Sequence, residues 1–208
     1  EQGAKHLVLL GRNQPSTDAQ AKITELEKTG VVIQTRSIDV TDYQQLESVV
    51  QDLEFPLRGV IHAAGIIDDG LLETLDWKSF QAVLAPKVQG SWNLHQATRS
   101  QPLEWFVCFS SIASAFGSLG QGNYAAANGF MDSLMQYRRS LGLPGLSINW
   151  SIWETGMAQQ LNTSQQQRLS QQGLTAIAPE QGLDILQLLL QQQTEQAIVF
   201  PVDWSKFL

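Results

Sequence analysis

The sequence predicts an α/β fold in which a doubly wound parallel sheet is covered by helices on both faces. Short apolar runs rich in β-forming residues alternate with longer amphipathic segments, which is the order expected of parallel strands joined by crossover helices. The runs are almost continuously apolar, as in strands that are buried on both faces. With 208 residues, the chain has the length of one domain with a core of its own.

The apolar runs predict six strands, and the amphipathic segments predict seven helices. Thr41 or Asp42 caps the second helix, and Gly30 ends the first. Proline lacks the amide hydrogen of a helix interior, so Pro86 is expected to divide the segment around it into two helices. The predicted strands span 7–10, 31–37, 60–62, 105–110, 146–150 and 197–200, and the helices 18–28, 42–53, 77–84, 87–98, 124–141, 164–172 and 179–191.

One part of a Rossmann-like nucleotide-binding fold is missing from this pattern. Such a fold opens with a strand and a glycine-rich turn whose backbone amides hold the pyrophosphate. No Gly-x-Gly-x-x-Gly pattern occurs, since Gly117, Gly120 and Gly122 have the wrong spacing. Residues 1–5 look like the tail of the helix that follows such a turn. We therefore expect a Rossmann-like sheet without its first strand and phosphate loop, in a single N-terminally truncated domain spanning 1–208.

Composition and charge exclude several classes of function. The formal net charge of −7 argues against a nucleic-acid surface or an anionic membrane as partner. No apolar run approaches the ~20 residues of a membrane span, and the N-terminus lacks the apolar stretch of a signal peptide. Cys108, the single cysteine, lies in an apolar run and is predicted to be a buried structural residue rather than a nucleophile. A cytoplasmic location is expected, and no metal site is predicted.

Four residues have the chemistry needed to reduce a ketone: Lys87, Ser111, Tyr124 and Asn128. Ser111 follows an apolar strand, and Tyr124 and Asn128 are one turn apart on one face of a helix. Reduction requires that the carbonyl oxygen be held and protonated as hydride reaches the carbon. A tyrosine can supply the proton, and a nearby ammonium is expected to lower its pKa. The alternative for each residue is structural, because such a tyrosine usually packs and such a lysine usually lies in solvent.

The spacing of these four residues resembles that of the ketoreductase domain of modular (type I) polyketide synthases, a branch of the short-chain dehydrogenase/reductase superfamily. As in that family, Tyr124 follows Ser111 by 13 positions, Asn128 follows Tyr124 by four, and Lys87 precedes Ser111 by 24. Most short-chain reductases instead place the lysine four residues after the tyrosine. The resemblance implies these roles: proton donor for Tyr124, oxygen positioning for Ser111, tyrosine tuning and ribose binding for Lys87, and proton relay for Asn128.

The resemblance also implies a set of cofactor-binding residues. Arg12 follows the second strand of the family fold, where an NAD-selective site carries an acidic residue, and a guanidinium there suits the 2′-phosphate of NADPH. His62 is expected to be a packed, neutral residue at a strand end. The remaining implied cofactor-binding residues are Asp39 and Val40 near the adenine, Ala63, Ala64 and Gly65 at a close turn, and Lys87 and Tyr124 themselves.

Substrate handling is expected at Asp69, Phe116 and Met157. The Ile-Asp-Asp sequence at 67–69 resembles the Leu-Asp-Asp motif of B-type ketoreductases, which give the D-hydroxy product. Phe116 stands eight residues before Tyr124, where A-type domains carry tryptophan. Met157 opens a glutamine-rich segment, and residues 158–175 are predicted to form a lid over the substrate. Ser151 replaces a usual glycine in the loop that leads there.

The expected activity is therefore NADPH-dependent reduction of a β-ketoacyl chain on an acyl carrier protein to the D-β-hydroxyacyl product, beside neighbouring polyketide synthase domains. Two alternatives remain open from the sequence. The absent phosphate loop favours a catalytically silent structural domain, while the intact tetrad argues against one. A free-standing reductase of small ketones is the other alternative, and the missing start of the fold argues against it.

Overall fold

A computed structural model describes residues 3–155, 173 and 175–207 of the chain. All of its strand pairs are parallel, in a two-stranded sheet of order β1-β2 and a four-stranded sheet of order β3-β4-β5-β6. The strands are β1 (His6–Gly11), β2 (Val32–Ser37), β3 (Gly59–His62), β4 (Trp105–Ser111), β5 (Leu146–Trp150) and β6 (Gln196–Val199). Each predicted strand is confirmed, with ends that shift by at most one residue.

The helices connect successive strands and lie against the sheets. They are α1 (Thr17–Glu27), α2 (Tyr43–Gln51), α3 (Trp77–Leu84), α4 (Gly90–Thr98), α5 (Ile112–Phe116), α6 (Gly122–Ser140), α7 (Pro179–Leu190) and α8 (Trp204–Phe207). The short helices α5 and α8 were not predicted, and the helix predicted at 164–172 lies outside the described residues. Ser16, Asp42 and Asp76 accept backbone N–H groups at the starts of α1, α2 and α3, so local capping sets where these helices begin.

Two apolar clusters show that helices cover both faces of the four-stranded sheet. One cluster joins β4 to α2, α4 and α6 through Phe106, Leu46 and Met131. The other joins β4 and β5 to α7 through Ile148 and Leu189. The predicted doubly wound α/β architecture is therefore confirmed. None of the described helices is long and apolar enough to cross a membrane.

The predicted break at Pro86 is wrong. The chain stays helical from α3 into α4 through a π-helical turn at Ala85–Gln89, in which the Gly90 N–H bonds to the carbonyl of Ala85, five residues earlier. A regular α-helix would use the Pro86 carbonyl for this bond. The wider turn leaves that carbonyl to accept a hydrogen bond from His62 Nε2 at 2.9 Å. The Pro86 carbonyl, which has no partner within the π-helical turn, is therefore bonded by the His62 side chain on β3.

Candidate active site

Lys87 projects inward from the π-helical turn and is only 2% exposed. Its Nζ donates a hydrogen bond to the Phe109 carbonyl at 3.1 Å and lies 5.3 Å from the centroid of the Tyr124 ring. Burial lowers the pKa of Lys87 to about 8. Gly65 makes room for this side chain, since a Cβ atom at Gly65 would lie 2.9 Å from Lys87 Cε.

Tyr124 and Asn128 lie on the buried face of α6. Asn123 positions the start of this face, because its Oδ1 accepts the Tyr124 N–H at 2.8 Å and its Nδ2 donates to the Asp68 carbonyl at 2.9 Å. Asn128 Nδ2 donates to the Tyr124 carbonyl at 2.7 Å. The other end of that amide, Asn128 Oδ1, is buried and has no hydrogen-bond partner among the described residues. An unpaired buried acceptor of this kind can accept a hydrogen bond from a water or a substrate group.

Ser111 ends β4 and caps α5. Its backbone is extended, and its Oγ accepts the Ala113 N–H at 3.2 Å. That bond uses a lone pair of Oγ, so the Ser111 hydroxyl hydrogen can be donated to the neighbouring Tyr124 oxygen or to a ligand oxygen. Strand β4, the π-helical turn and α6 thus bring Ser111, Lys87, Tyr124 and Asn128 together at the carboxyl end of the sheet.

The predicted effect of Lys87 on Tyr124 differs from the structure. Burial raises the pKa of Tyr124, and the neighbouring Asn128 and Ser111 side chains oppose that rise only in part. The expectation of a lowered pKa is therefore wrong for the arrangement described here. Sequence spacing gives proximity, but it gives no measure of how completely a phenol is removed from water. The phenol of Tyr124 keeps its proton at neutral pH.

The predicted cofactor-binding residues lie at the carboxyl ends of β1, β2 and β3. Arg12 is exposed just after β1, and its charge helps to lower the pKa of Asp39 after β2, although hydrogen bonds from Thr41 to that carboxylate contribute more. The Val40 carbonyl accepts a hydrogen bond from Asn93 on α4 at 3.0 Å, which fixes the segment after β2.

The residues after β3 complete this surface. Ala63 and Ala64 are exposed, and Gly65 is half-buried against Lys87. Small exposed side chains leave the backbone open to close approach, and Arg12 adds an exposed guanidinium after β1. These residues fit a dinucleotide.

The predicted substrate residues lie on two adjoining loops. Both carboxylate oxygens of Asp69 accept from Gln121 Nε2, at 3.0 and 3.1 Å, and the Gly70 N–H donates to the Gly120 carbonyl at 2.8 Å. Phe116, 55% exposed at the end of α5, packs edge-to-face on Phe200. Met157 and most of the predicted lid lie outside the described residues.

The predictions that His62 is a packed, neutral residue and that Cys108 is buried are both confirmed. His62 is buried, and burial together with the charge of Lys87 lowers its pKa to about 4, so it is neutral. Cys108 is fully buried, and burial raises the pKa of its thiol to about 12, which excludes a thiolate nucleophile at neutral pH.

The sequence analysis missed a group of polar residues behind the site. Asp132 follows Asn128 by four residues on the same face of α6, and Ser147 and Asn149 interrupt the otherwise apolar strand β5. All three are buried. Polar residues at these positions in a buried helix face and a buried strand were the available signal, since a polar group in a core requires a partner. Gln121 and Asn123, which attach the Asp69 loop to α6, were also missed.

Comparison with known proteins gives consistent matches. The family model described as the KR domain matches residues 1–155. A phenolphthiocerol synthesis polyketide synthase type I of Mycobacterium marinum is 41% identical over 194 residues, which is 90% of this chain and 9% of that protein. Polyketide synthase GfsB of Streptomyces halstedii is 39% identical over 208 residues, or 98% of this chain and 4% of that protein. The chain thus spans less than a tenth of the length of these relatives.

A solved structure described as an A-type ketoreductase from a modular polyketide synthase superimposes with a TM-score of 0.93 and 36% identity. The match covers 99% of this chain and 44% of that one. The first ketoreductase of the tylosin polyketide synthase superimposes with a TM-score of 0.88, also at 36% identity, and the match covers 99% of this chain and 45% of that one.

Proposed function

Because this chain belongs to the KR domain family, the ketoreductase domains of polyketide synthases within the short-chain dehydrogenase/reductase superfamily, we propose that it reduces a β-ketoacyl chain on an acyl carrier protein with NADPH. Ketoreductase domains are oxidoreductases that use a nicotinamide cofactor, and the relatives are parts of polyketide synthases. The choice of NADPH, the carrier-bound substrate and the D-hydroxy product are the proposed additions. The observation that carries the proposal is that Lys87, Ser111 and Asn128 all lie next to Tyr124.

Tyr124 acts as the proton donor in this proposal. Its raised pKa keeps the phenol protonated at neutral pH, so a proton is available for the substrate oxygen. Ser111 donates its free hydroxyl hydrogen to the same oxygen and holds it in place. When bound, the cofactor supplies the hydride that reaches the carbonyl carbon. The phenolate left on Tyr124 is then stabilised by the Asn128 and Ser111 side chains, which lower the pKa of the phenol, with the Lys87 ammonium 5.3 Å from the centroid of the ring.

Reprotonation of Tyr124 requires a path from solvent. Lys87 Nζ uses one of its hydrogens on the Phe109 carbonyl and has two others to donate. Asn128 Oδ1 is buried without a partner among the described residues and can accept a hydrogen from water. Lys87 and Asn128 therefore provide a donor and an acceptor for a proton relay beside Tyr124.

Replacing Tyr124 by Phe tests the proton donor. In the full protein, we expect the Tyr124→Phe change to lower kcat on an N-acetylcysteamine β-ketoacyl thioester by about 100-fold or more, with thermal unfolding unchanged. NADPH consumption is the readout. Tyr137→Phe is the matched control, because Tyr137 lies on the same helix with its ring half exposed. A Tyr124→Phe enzyme with near wild-type turnover contradicts the proposal.

Replacing Arg12 by Glu tests the choice of NADPH. A charge-assisted hydrogen bond contributes about 1.5–3 kcal/mol, so the KM for NADPH should rise by about 10-fold or more, while the KM for NADH stays within about threefold. Arg58→Glu is the control, since Arg58 is an exposed arginine at the amino end of β3, whereas Arg12 lies at the carboxyl end of β1. Equal effects on the two cofactors, or an equal effect of Arg58→Glu, contradict the role of Arg12.

The proposed D configuration rests on the loop that carries Asp69. Its carboxylate is bound to Gln121, three residues before Tyr124, so this loop borders the proton donor on one side. Two similar solved structures are described as A-type and A1-type ketoreductases, and similarity of the backbone does not distinguish the residues that orient the substrate. Chiral chromatography of the hydroxyacyl product decides the configuration. An L product overturns the B-type assignment and leaves the reductase proposal intact.

A further inference from the structure

A buried cluster of polar side chains lies directly behind Ser111, where α5, α6 and β5 meet. The Asp132 cluster, as we name it, consists of Ser110, Ser114, Asp132, Ser147 and Asn149. Ser147 and Asn149 are fully buried, and Asp132 is 8% exposed. None of these residues belongs to the proposed catalytic set.

Asp132 is the acceptor at the centre of the Asp132 cluster. Its Oδ2 accepts hydrogen bonds from Ser114 Oγ at 2.7 Å and from Asn149 Nδ2 at 2.9 Å. Its Oδ1 accepts from Ser147 Oγ at 2.5 Å. Three donors therefore converge on one side chain, which suits an ionised carboxylate because it has acceptor sites only.

Asn149 extends the Asp132 cluster to the backbone of Ser111. Its Nδ2 lies 3.2 Å from the Ser111 carbonyl oxygen and 3.1 Å from Ser110 Oγ, besides its contacts to Ser114 and Asp132. Gln196 on β6 fixes the orientation of this amide, since its Nε2 donates to Asn149 Oδ1 at 2.9 Å. The NH₂ end of Asn149 is thereby directed at Ser111.

The Ser111 carbonyl is held from a second side by Ser114, whose Oγ lies 2.8 Å from it. The single hydrogen of the Ser114 hydroxyl goes either to this carbonyl or to Asp132, whereas the two hydrogens of Asn149 Nδ2 can serve both acceptors, so Asn149 is the main link between the turn after β4 and Asp132. Asp132 itself lies on the face of α6 that carries Tyr124 and Asn128, two and one helical turns earlier. The Asp132 cluster therefore connects the strand that ends at Ser111 to the helix that presents Tyr124.

We propose that Asp132 and Asn149 are positioning residues that fix the Ser111 hydroxyl relative to the Tyr124 phenol. The proposal rests on the proposed function, since both hydroxyls must reach one substrate oxygen. Misplacement of a reacting group by about 1 Å is enough to lower turnover about 100-fold. A buried cluster in which every described polar side chain has a partner opposes such a shift, because moving one member leaves another without its hydrogen bond.

A double-mutant cycle separates positioning from a purely structural role. Asn149→Ala should lower kcat by about 10- to 100-fold, with the KM for NADPH changed less than about threefold. In a Ser111→Ala background the same Asn149 change should lower kcat by less than about threefold, because the residue it positions is gone. Thr98→Ala is the control: it removes a buried hydroxyl that donates to the Leu94 carbonyl within α4, outside the Asp132 cluster, so it should lower the Tm and leave kcat unchanged.

The outcomes of this cycle are distinguishable. If Ser111→Ala leaves kcat unchanged, the proposed function of Ser111 fails. If Ser111→Ala lowers kcat but the Asn149 effect persists undiminished in that background, the positioning proposal is overturned. Should Asn149→Ala not fold, Ser114→Ala decides, with an expected loss in kcat of about 3- to 10-fold that disappears in the Ser111→Ala background. If Ser114→Ala lowers kcat by the same factor with and without the Ser111→Ala change, the proposal is overturned.

Discussion

Lys87 carries a full charge at an almost inaccessible position, and no described carboxylate lies within ion-pairing distance of it. Burial of an unpaired ammonium disfavours its charged form, which accounts for the lowered pKa of about 8. The hydrogen bond to the Phe109 carbonyl and the face of the Tyr124 ring offset only part of this cost. The residue that the reaction requires therefore destabilises the fold.

Replacing Lys87 by Met should raise stability while abolishing reduction. The pKa falls from 10.5 in the unfolded chain to about 8 in the folded one, so near neutral pH the lysine is charged in both states and the burial cost is present. We expect the free energy of unfolding to rise by about 1–3 kcal/mol near pH 7. Above pH 8 the folded wild type loses its proton first and gains stability, so the advantage of the variant shrinks toward pH 10.

Urea unfolding near pH 7 and near pH 10 measures this effect, with the exposed Lys22→Met as control. A Lys87→Met protein that is less stable than wild type near pH 7 contradicts the interpretation.

At the residue scale, spacing selected the candidate residues only through its resemblance to the ketoreductase family, since each residue alone left a structural role open. Ser111, Tyr124 and Lys87 come together because a strand end, a helix face and a helix turn each have a fixed geometry. The sequence was not sufficient for their electrostatics. The raised pKa of Tyr124 and the partners of Asp132 depend on burial and on contacts between distant segments, and neither follows from spacing.

At the scale of elements, the helical stretch around Pro86 shows how tertiary contacts override a local signal. Proline predicted a break, yet the π-helical turn keeps α3 and α4 continuous because His62 takes the carbonyl that the turn releases. The turn also directs Lys87 into the site. Helix α5 escaped prediction for a different reason: its five residues, which begin directly after Ser111, are too few to show a helical period in the sequence.

Helix α7 packs against Trp153 at a glycine, and this contact is testable. A Cβ atom at Gly182 would lie 2.2 Å from the Trp153 ring, which cannot move without disturbing Phe109 and Trp150. Gly182→Ala should therefore destabilise the protein by about 1–3 kcal/mol despite its better helix propensity.

Gly129, in the middle of α6, is the matched control for Gly182. A Cβ atom there would meet nothing within 4 Å, so Gly129→Ala should stabilise the protein by about 0.5–1 kcal/mol. Thermal and urea unfolding of the two variants measure both effects. Shifts of the same sign would show that propensity, rather than the contact with Trp153, decides the result at Gly182.

At the scale of the whole molecule, polar contacts join the strands to the helices that cross their carboxyl ends. His62 binds β3 to the π-helical turn, Asn93 binds α4 to the segment after β2, and Asn149 binds β5 to the turn after β4. The parallel strands and the covering of both faces were predictable from the order and apolar pattern of the segments, because burial of strands and helices leaves a pattern in the sequence. The polar contacts between strands and helices were not predictable, since each joins residues that are distant along the chain.

The neutral His62 makes the stability of the whole molecule depend on pH. Its pKa is about 4 in the folded chain and 6.5 when unfolded, because burial and the Lys87 charge disfavour the imidazolium. Between these values the unfolded state binds the proton and the folded state does not. The stabilisation is therefore complete above about pH 6.5 and is lost as the pH falls toward 4, by at most about 3 kcal/mol. That loss is a large part of the ~5–15 kcal/mol that holds a domain folded.

His62→Gln separates this effect from the titration of carboxylates. The Gln amide can donate to the Pro86 carbonyl as His62 does, but it does not titrate. Urea midpoints of both proteins between about pH 7 and pH 4.5 should fall more steeply for wild type than for the variant, because acidic groups contribute equally to both slopes. Parallel slopes would contradict the lowered pKa of His62, because the folded and unfolded states would then bind the imidazole proton over the same pH range.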